Sequence, residues 1–391
     1  MVLDLTAASM TRCAVPEPTF PLARAVAERV EAHFAHRHAE RRGAGQLDAA
    51  PLPNRRAIEL LIDAAFWASL RREEGILPKI SLALLPASSV HAPMTFAKPL
   101  PLDPADLAKL APAVERPGIH LGIWPIDAAL HVWGTTRDLP PLCMVIEVVA
   151  SGLVVVKQRG EPFGKFVNVV VLEGDQIKIV DEQTAGSPEC PGVLKSLIRA
   201  DLFAQETRAV NVLVELAASM RAHGRGGTLL VVPSAEHVWV ESVVTPISYL
   251  MEPPFSGLSR LLGRPSGLSM DDWQNDVRRV VEAIAGLTAV DGATVITTGF
   301  ELLAFGVKIA RRRGHPVVER VVVSEPIEGS TITTTAPVQL GGTRHLSAAQ
   351  FVHDQREASA LVASQDGRFT VFTWSPREDA VHAYRIEALL L

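Results

Sequence analysis

The sequence predicts an α/β protein in two parts. These are an N-terminal α+β domain with a largely antiparallel sheet and a C-terminal α/β domain with a mixed sheet and helices on both faces. In the first 200 residues, short apolar runs are separated by glycine-containing turns, which is typical of antiparallel hairpins. Later in the chain, apolar runs alternate with amphipathic helical segments, which is typical of layered α/β domains. We therefore predict domains at residues 1–200 and 203–391.

The composition limits the classes of function. The 391 residues are 48% hydrophobic and 21% charged, which is typical of a globular protein with more than one core. A net charge of −5 offers no general attraction to nucleic acid or to anionic lipid, so we expect neither as a partner. Three cysteines without a C-x-x-C motif are typical of a reducing compartment.

A cytoplasmic location is predicted from two further features. The first residues carry Asp4 and no continuous apolar core, so they lack the pattern of a signal peptide. The most apolar segment, residues 142–156, is interrupted by Glu147, Ser151 and Gly152 and is too short to span a bilayer. It predicts two buried strands instead.

Two helices and then a series of strands are predicted in the N-terminal domain. Apolar residues spaced by four predict a helix over residues 20–45, and Asn54 predicts the N-cap of a second helix that ends near Leu70. Asp103 is expected to cap a short helix that reaches Leu110. Strands are predicted at residues 80–85, 119–124, 129–133, 144–149, 153–158, 167–172 and 176–180. The sequence of this domain carries no recognisable catalytic constellation.

Helices and strands alternate in the C-terminal domain. A helix is predicted over residues 205–222, and Ser269 opens another with a capping-box pattern. The continuous apolar run 228–232 is typical of a strand buried on both faces. Further strands are predicted at residues 287–290, 293–296, 302–309, 321–323, 360–363 and 369–372, and the chain is expected to finish on a hairpin.

The stretch 341–349, Gly-Gly-Thr-Arg-His-Leu-Ser-Ala-Ala, has the pattern of an anion-binding turn. A glycine pair opens a predicted helix, whose first backbone N–H groups and positive dipole end would point at an anion. Arg344 and His345 would add charge and hydrogen bonds to the same anion. Gly-Gly-Thr is also an ordinary turn between a strand and a helix, so this stretch alone leaves both interpretations open.

A second cluster, Asp291-Gly292-Ala293, stands between two apolar runs. A carboxylate beside a glycine at a strand end is suited to hold Mg²⁺ or Mn²⁺, which favour carboxylate and phosphate oxygens. Together with the 341–349 stretch, this cluster would suit phosphoryl or nucleotidyl transfer. An Asp-Gly pair is equally consistent with a hairpin turn, and the spacing does not decide between the two.

Four short motifs occur in an order that resembles the diadenylate cyclase (DAC, DisA N-terminal-like) domain. They are Gly-Gly-Thr-Leu-Leu-Val-Val at 226–232, Asp-Gly-Ala at 291–293, Gly-Thr-Arg-His at 342–345 and Ser-Gln-Asp at 364–366. The family has a Gly-Ala-Leu-Ile-Val-Ile type strand, an Asp-Gly-Ala motif, a Gly-Thr-Arg-His-Arg motif and a Ser-Glu-Glu motif. The resemblance covers residues 203–391. The organisation also resembles proteins in which a DACNV sensor domain precedes such a cyclase domain.

The resemblance implies the joining of two ATP molecules into cyclic di-AMP, with release of two pyrophosphates. In the family, two domains face each other and each holds one ATP. The 3′-hydroxyl of one ATP attacks the α-phosphate of the other, so a homo-oligomer is implied.

The resemblance also implies roles for particular residues. Asp291 and Asp366 would bind the divalent cation, Mg²⁺ or Mn²⁺, and Asp291 would help to activate the 3′-hydroxyl. Arg344 and His345 would take part in catalysis by gripping the phosphates. The implied nucleotide-binding residues are Gly292, Ala293, Gly342, Thr343, Arg344 and His345.

Several departures from the family pattern accompany the resemblance. Leu346 occupies the place of the last arginine of Gly-Thr-Arg-His-Arg, and Gln365 replaces the first glutamate of Ser-Glu-Glu. Lys-Ile at 308–309 stands in the region of the family's Leu-Pro. A long insertion, residues 310–340, carries three arginines at 311–313, which could replace the lost cation or form a solvated loop. The solvated loop is the favoured interpretation.

Three hypotheses on function follow. The favoured one is a divergent cyclase regulated by the N-terminal domain, because both metal-type carboxylates and the Thr-Arg-His core are present. A catalytically silent sensor of ATP or of a cyclic dinucleotide is the alternative that Leu346 and the insertion motivate. A scaffold with vestigial motifs is the third.

Overall fold

The computed structural model describes residues 17–46, 48–160, 166–186, 190–198, 207–234, 237–263 and 270–391. The chain forms two compact units. Unit 1 ends at Arg159 and also takes Val169–Ile177, whereas unit 2 consists of Gly160–Asn168 and Lys178–Leu391. The predicted domain limits, 1–200 and 203–391, place the boundary later in the chain than this division.

Unit 1 is built on an eight-stranded sheet. Its described helices are α1 (Pro21–Gly43), α2 (Arg55–Ser69) and α3 (Pro104–Val114). The strands are β1 (Ile80–Leu84), β2 (Met94–Pro101), β3 (His120–Ile126), β4 (Ala129–Thr136), β5 (Met144–Ala150), β6 (Leu153–Arg159), β7 (Phe166–Glu173) and β8 (Gln176–Ile179). Their order is β2-β4-β3-β1-β5-β6-β7-β8. Of the pairs from β2 to β6, β3–β1 is parallel and the others are antiparallel, so the predicted largely antiparallel sheet is confirmed.

Two helices of unit 1 begin at the predicted capping residues. Asn54 Oδ1 accepts a hydrogen bond from the Ala57 backbone N–H at 2.9 Å. Asp103 Oδ1 accepts one from the Ala105 backbone N–H at 2.8 Å. Each bond satisfies an N–H group that has no partner within its own helix. Both predicted helix starts are confirmed.

Unit 2 is built on a nine-stranded sheet. Its described helices are α4 (Gly192–Ile198), α5 (Thr207–Ala222), α6 (Gly257–Gly263), α7 (Met270–Leu287), α8 (Pro337–Leu340) and α9 (Thr343–Asp354). The strands are β9 (Gly227–Val232), β10 (Tyr249–Phe255), β11 (Ala293–Thr297), β12 (Leu302–Val307), β13 (Val321–Ser324), β14 (Thr333–Thr335), β15 (Ser359–Ala363), β16 (Phe369–Ser375) and β17 (Ala380–Arg385). Ser269, predicted to open α7, lies outside the described residues.

The unit 2 sheet is mixed, as predicted. Its order is β10-β12-β11-β9-β15-β16-β17-β13-β14. The pairs β9–β11 and β13–β17 are parallel, whereas the other neighbours are antiparallel. β16 and β17 form the expected terminal hairpin. Across the described ranges, no helix is both long and apolar enough to cross a membrane.

β9 separates two hydrophobic cores. Leu229 and Val231 belong to the core that residues of α5 and α7 complete. Leu230 and Val232 belong to the core on the opposite face, together with residues of α9. Alternate residues of a strand point to opposite faces, so a strand covered on both faces needs apolar side chains at every position. The predicted doubly buried strand, with helices on both faces of the sheet, is confirmed.

The prediction of a strand at residues 287–290 is wrong. α7 continues to Leu287, and the next three backbone N–H groups each bond to the carbonyl three residues back. Thr288 Oγ1 also donates to the Ala285 carbonyl at 2.6 Å. Because these N–H groups form hydrogen bonds within a turn, the segment does not pair with a neighbouring strand. Asp291 therefore precedes β11 and does not end a strand.

The segment 310–340 contributes two strands to the sheet of unit 2. β13 and β14 stand at one end of the sheet order. Asp354, the last residue of α9, accepts hydrogen bonds from the Arg312 backbone N–H at 2.8 Å and from Gln350 Nε2 at 3.0 Å. The Gln350 side-chain oxygen in turn accepts one from the Val318 N–H at 2.9 Å. The segment is thus fastened to the C-terminal half of α9.

Candidate functional site

A cleft opens at the edge of the unit 2 sheet where β9 and β11 begin. β12 and β15 run antiparallel to these two strands, so their ends reach the same edge. The cleft has a volume of about 440 Å³. Its lining residues are Thr228, Asp291, Gly292, Ala293, Val307, Lys308, Ile309, Gly342, Thr343, Arg344, His345, Ser347, Val362, Ala363 and Ser364.

Most of the predicted site residues meet in this cleft. Asp291 lines it, and so do all the predicted nucleotide-binding residues, which are Gly292, Ala293, Gly342, Thr343, Arg344 and His345. Thr228, from the 226–232 motif, and Ser364, from the 364–366 motif, also line the cleft. Four motifs that are far apart in the sequence therefore contribute to one surface.

Asp291 and Lys308 form an ion pair on the wall of the cleft. Lys308 Nζ lies 2.5 Å from Asp291 Oδ2 and 3.2 Å from the Asp291 carbonyl oxygen. The Asp291 side chain is 93% exposed. The hydrogen bond from Lys308 and its charge lower the pKa of Asp291, and the Arg344 charge acts in the same direction. The carboxylate is thus ionised at neutral pH, with a lysine as its counterion.

Gly292 fixes the backbone next to Asp291. Its φ of 122° lies in the region that favours glycine. A Cβ at this position would lie 2.4 Å from the carbonyl carbon of Gly306 in β12. The two backbones thus approach too closely for any side chain. Because α7 precedes this pair and β11 follows it, the Asp-Gly pair is not a hairpin turn.

The N-terminus of α9 forms another wall of the cleft. Gly342 is the N-cap and has an extended backbone, with no side chain that caps the helix. Since Gly342, Thr343 and Arg344 line the cleft, the positive end of the helix dipole borders it. A Cβ on Gly341 would lie 2.5 Å from His345 Nδ1, so this glycine has a steric role. The predicted glycine turn that opens a helix is confirmed.

Arg344 lies against the backbone at the start of β9. Gly226 has a φ of 69°, and a Cβ on it would lie 2.9 Å from Arg344 Nη1. Within the described residues, the guanidinium forms no ion pair at contact distance. Its charge nevertheless reaches Asp291, whose pKa it helps to lower. Arg344 is therefore a cation whose charge faces the cleft.

His345 is a buried, neutral member of the site. His345 is only 3% exposed, and this burial is the main cause of the lowered pKa of its imidazole. His345 Nε2 shares a hydrogen bond of 3.3 Å with Thr370 Oγ1. The ring also meets Phe372 edge-on, with a centroid distance of 6.0 Å. At neutral pH His345 shapes the glycine turn and adds no positive charge.

Asp366, the second predicted metal ligand, lies in the turn between β15 and β16. Its Oδ1 accepts a hydrogen bond from the Arg368 backbone N–H at 3.3 Å, and its Oδ2 lies 3.5 Å from Arg368 Nε. A hydrogen bond with the Ser364 side chain is the main cause of its lowered pKa. It is not among the described residues that line the cleft. The sharing of one metal ion by Asp291 and Asp366 stays a prediction.

The described lining of the cleft includes no residue of the insertion 310–340. Leu346 is 38% exposed and lies outside the described lining of the cleft. The arginines at 311–313 also lie outside that lining, and Arg312 Nη2 is 2.5 Å from Glu241 Oε2. This agrees with the interpretation of the arginine run as a surface feature.

Lys308 is a site residue that sequence reasoning missed. It directly follows β12, whose Val307 pairs with Ala293 of β11. The available signal was the replacement of the family's Leu-Pro by Lys-Ile. That replacement puts a cation beside Asp291 only because β11 and β12 are antiparallel neighbours.

The charges of the lining residues suit an anion. Lys308 and Arg344 are cations, Asp291 is an anion and His345 is neutral. The described lining thus has an excess of positive charge, although the chain as a whole has a net charge of −5. Lysine, arginine and a helix N-terminus are the groups that commonly bind phosphate.

The donor set fits a divalent cation that is shared with a ligand. In the part of the chain that the structure describes, no group of three or more His, Cys, Asp or Glu side chains could hold a metal ion. Mg²⁺ beside a nucleotide usually needs one or two protein carboxylates and takes its other ligands from phosphate and water. Asp291, with its exposed carboxylate, fits this requirement for the predicted Mg²⁺ or Mn²⁺.

Comparison with known families gives a match in unit 1. Residues 47–137 match the family model described as "Probable sensor domain DACNV". The matched range includes α2, α3 and the strands β1 to β4. The resemblance of this region to DACNV is confirmed, whereas the resemblance of residues 203–391 to the diadenylate cyclase domain stays a prediction. Comparison with curated proteins gives no significant match.

Proposed function

We propose that unit 2 is a divergent diadenylate cyclase domain that joins two ATP molecules into cyclic di-AMP. The observation that carries the proposal is the meeting of the 291–293 and 342–345 stretches in one cleft. A chance occurrence of short motifs gives no reason for them to share a surface. Their shared surface also has the charge that a triphosphate requires.

In this proposal, the chain's own groups bind and orient the phosphates. Arg344 and the first N–H groups of α9 hold phosphate oxygens, and His345 keeps the glycine turn in place. Asp291 serves as the ligand of the divalent cation and as a hydrogen-bond acceptor for the attacking 3′-hydroxyl. The cation, when bound, neutralises phosphate charge and polarises the phosphoryl oxygens.

The reaction consists of two equivalent transfers. The 3′-oxygen of one ATP forms a bond to the α-phosphorus of the other, the bond between the α- and β-phosphates breaks, and pyrophosphate leaves. The hydroxyl proton passes to solvent through the acceptor that orients it. A cleft of about 440 Å³ is of the size that accepts one nucleotide. We therefore infer that two copies of the chain face each other, each with one ATP.

Unit 1 is proposed to regulate this reaction as a sensor. Its residues 47–137 match the DACNV model. Since the substrate would be ATP, we also propose that the protein works in the cytoplasm.

An assay of the full chain tests this function. Purified protein is incubated with ATP and Mn²⁺, and cyclic di-AMP is quantified by mass spectrometry. We expect product from the wild type and a loss of at least about a hundredfold in Asp291→Asn, because a carboxylate at the reacting phosphate is removed. Asp379→Asn is the matched control, since this exposed carboxylate lies outside the described cleft lining. Absence of product from the wild type, or equal rates in Asp291→Asn, would contradict the proposal.

A second candidate is a silent sensor that binds a nucleotide without turnover. It is favoured by the engagement of Asp291 with Lys308 and by the location of Asp366 outside the described cleft lining. Calorimetry with ATP and with cyclic di-AMP decides between the two. Binding of either nucleotide without product formation supports the sensor, and absence of binding excludes it.

A further inference from the structure

We propose that Lys308 is a phosphate-binding residue that changes partners, from the Asp291 carboxylate in the free protein to a ligand phosphate in the complex. This inference rests on the proposed nucleotide-binding function of the cleft. It assigns to Lys308 the role of the cation that the motif lacks at Leu346. It also explains how Asp291 becomes available to a divalent cation.

The position of Lys308 combines a hydrogen-bonded backbone with a solvent-exposed side chain. Its carbonyl oxygen accepts a hydrogen bond from the Val244 N–H at 2.8 Å, and the preceding residue pairs with β11. Its side chain is 54% exposed, and Nζ contacts Asp291 Oδ2 at 2.5 Å. The backbone hydrogen bonds thus keep Lys308 at the cleft. Its exposed ammonium group can change partners without a change in the sheet.

The pair with Asp291 can be exchanged at low cost. Both side chains are more than half exposed, and ion pairs in contact with water contribute little to stability. A triphosphate carries several negative charges and offers more acceptor oxygens for charge-assisted hydrogen bonds than one carboxylate. A ligand phosphate therefore competes well for the ammonium group.

Two cations line the same cleft. Arg344 belongs to α9, Lys308 directly follows β12, and Lys308 Nζ contacts the Asp291 carboxylate. A phosphate bound in this cleft would thus have both cations on the walls around it. Leu346 carries no charge, and the arginines at 311–313 do not belong to the described lining.

The proposal predicts opposite effects of one substitution. Lys308→Met removes the counterion of Asp291, so the nucleotide-free protein should bind Mn²⁺ about threefold more tightly. The same substitution removes a charge-assisted contact with phosphate, so inorganic triphosphate without metal should bind about tenfold more weakly. A residue with a merely structural role would not shift the two affinities in opposite directions.

Titrations of the full chain test this prediction. Free Mn²⁺ is followed by electron paramagnetic resonance, and inorganic triphosphate in the presence of EDTA by calorimetry. A third titration uses Mn²⁺ with the α,β-methylene analogue of ATP. Lys308→Arg should keep triphosphate binding close to wild type, because it keeps the charge. Arg311→Met, which removes a nearby cation outside the described cleft lining, should leave all three affinities unchanged.

The outcomes separate this inference from the proposed function. Unchanged triphosphate binding in Lys308→Met, with normal binding of the ATP analogue to the wild type, overturns the role of Lys308 and leaves the proposed function standing. Binding of triphosphate but not of the ATP analogue to the wild type removes the nucleotide function, while a weaker Lys308→Met still supports a phosphate site. A wild type that binds neither overturns both.

Discussion

Gly292 is the glycine of the cleft lining whose surroundings leave no space for a side chain. The structure predicts that Gly292→Ala lowers the free energy of unfolding of unit 2 by about 2–4 kcal/mol, because the new Cβ would meet the Gly306 backbone and the φ is strained. Gly286→Ala is the control, since Gly286 lies in the last turn of α7 with nothing within 4 Å of a Cβ. This control should be neutral or slightly stabilising. Urea denaturation measures both, and a Gly292→Ala variant as stable as wild type would contradict the close approach.

His120 predicts a pH dependence of the stability of unit 1. Burial lowers its pKa to about 4, and its Nδ1 lies 2.7 Å from Ser81 Oγ. The unfolded chain takes up the proton near pH 6.5 and the folded chain only near pH 4, so unfolding binds a proton in this window. The free energy of unfolding should therefore fall as the pH drops from 6.5 to 4, by at most about 3 kcal/mol.

His120→Asn provides the comparison for that pH dependence. It keeps a polar group near Ser81 but does not titrate. The difference in unfolding free energy between wild type and variant should shrink or change sign as the pH falls through the window. Parallel curves for the two proteins between pH 7 and 4 would show that His120 is not the cause.

The individual residues of the cleft were predictable only where they lie within a motif. Asp291 and Arg344 were identified because each belongs to a short pattern with chemical meaning. Lys308 belongs to no such pattern, and its neighbour Asp291 is 17 positions away in the chain. Its contact exists because a hairpin brings β12 back along β11, and the register of that hairpin is irregular. Sequence spacing does not encode such a register.

Among the secondary structure elements, α9 is expected to depend for its stability on its last residue, Asp354, which is buried. The Asp354 carboxylate has an exposure of 0% and accepts hydrogen bonds from Arg312 N–H and Gln350 Nε2. Asp354→Ala leaves both donors without this acceptor, so we expect a loss of about 2–4 kcal/mol in the free energy of unfolding. Asp379→Asn is the control, because that carboxylate is 82% exposed, its pair with Arg356 is weak, and asparagine tolerates the φ of 44° at this position. Equal melting temperatures for the two variants would refute the role of Asp354.

The strands that the sequence prediction omitted stand mainly at sheet edges. β2 and β10 are each the first strand in the order of their sheet, and each contains two prolines. Proline counts against a strand in a sequence pattern, although edge strands tolerate it. β14, at the other end of the unit 2 sheet, has three residues and too little pattern to detect. The central strands were predictable because burial on both faces leaves long apolar runs, as in β9.

For the chain as a whole, the proposed reaction requires two copies that face each other. Mixing wild-type protein with an inactive variant tests this requirement. When wild type and Asp291→Asn are combined in equal amounts and allowed to exchange, product formation per total chain should fall to about one quarter of the wild-type rate. A fall to about one half would mean that each copy works alone and would contradict the face-to-face arrangement. Adding Arg311→Met in place of Asp291→Asn controls for dilution, since this variant should be fully active.

The general architecture was predictable, but the strand order was not. Alternating patterns predicted a mixed sheet with helices on both faces, and the structure confirms it. The insertion of β15 between β9 and β16, and the parallel pairing of β13 with β17, join segments that are far apart in sequence. The pairing of β9 with β15 brings residues 362–364 to the cleft that Thr228 also lines. In the sequence, chemistry linked the 291–293 and 341–349 stretches, and the family resemblance added the motifs at 226–232 and 364–366.

The proline-containing edge strands also bear on how the protein behaves in concentrated solution. β2 carries Pro99 and Pro101, and β10 carries Pro253 and Pro254. Proline has no N–H group, so the outer side of such a strand cannot present a continuous row of donors to a further chain. Fibril growth by cross-β stacking needs that continuous row. At these two edges, the sequence itself therefore provides a barrier to amyloid-like aggregation.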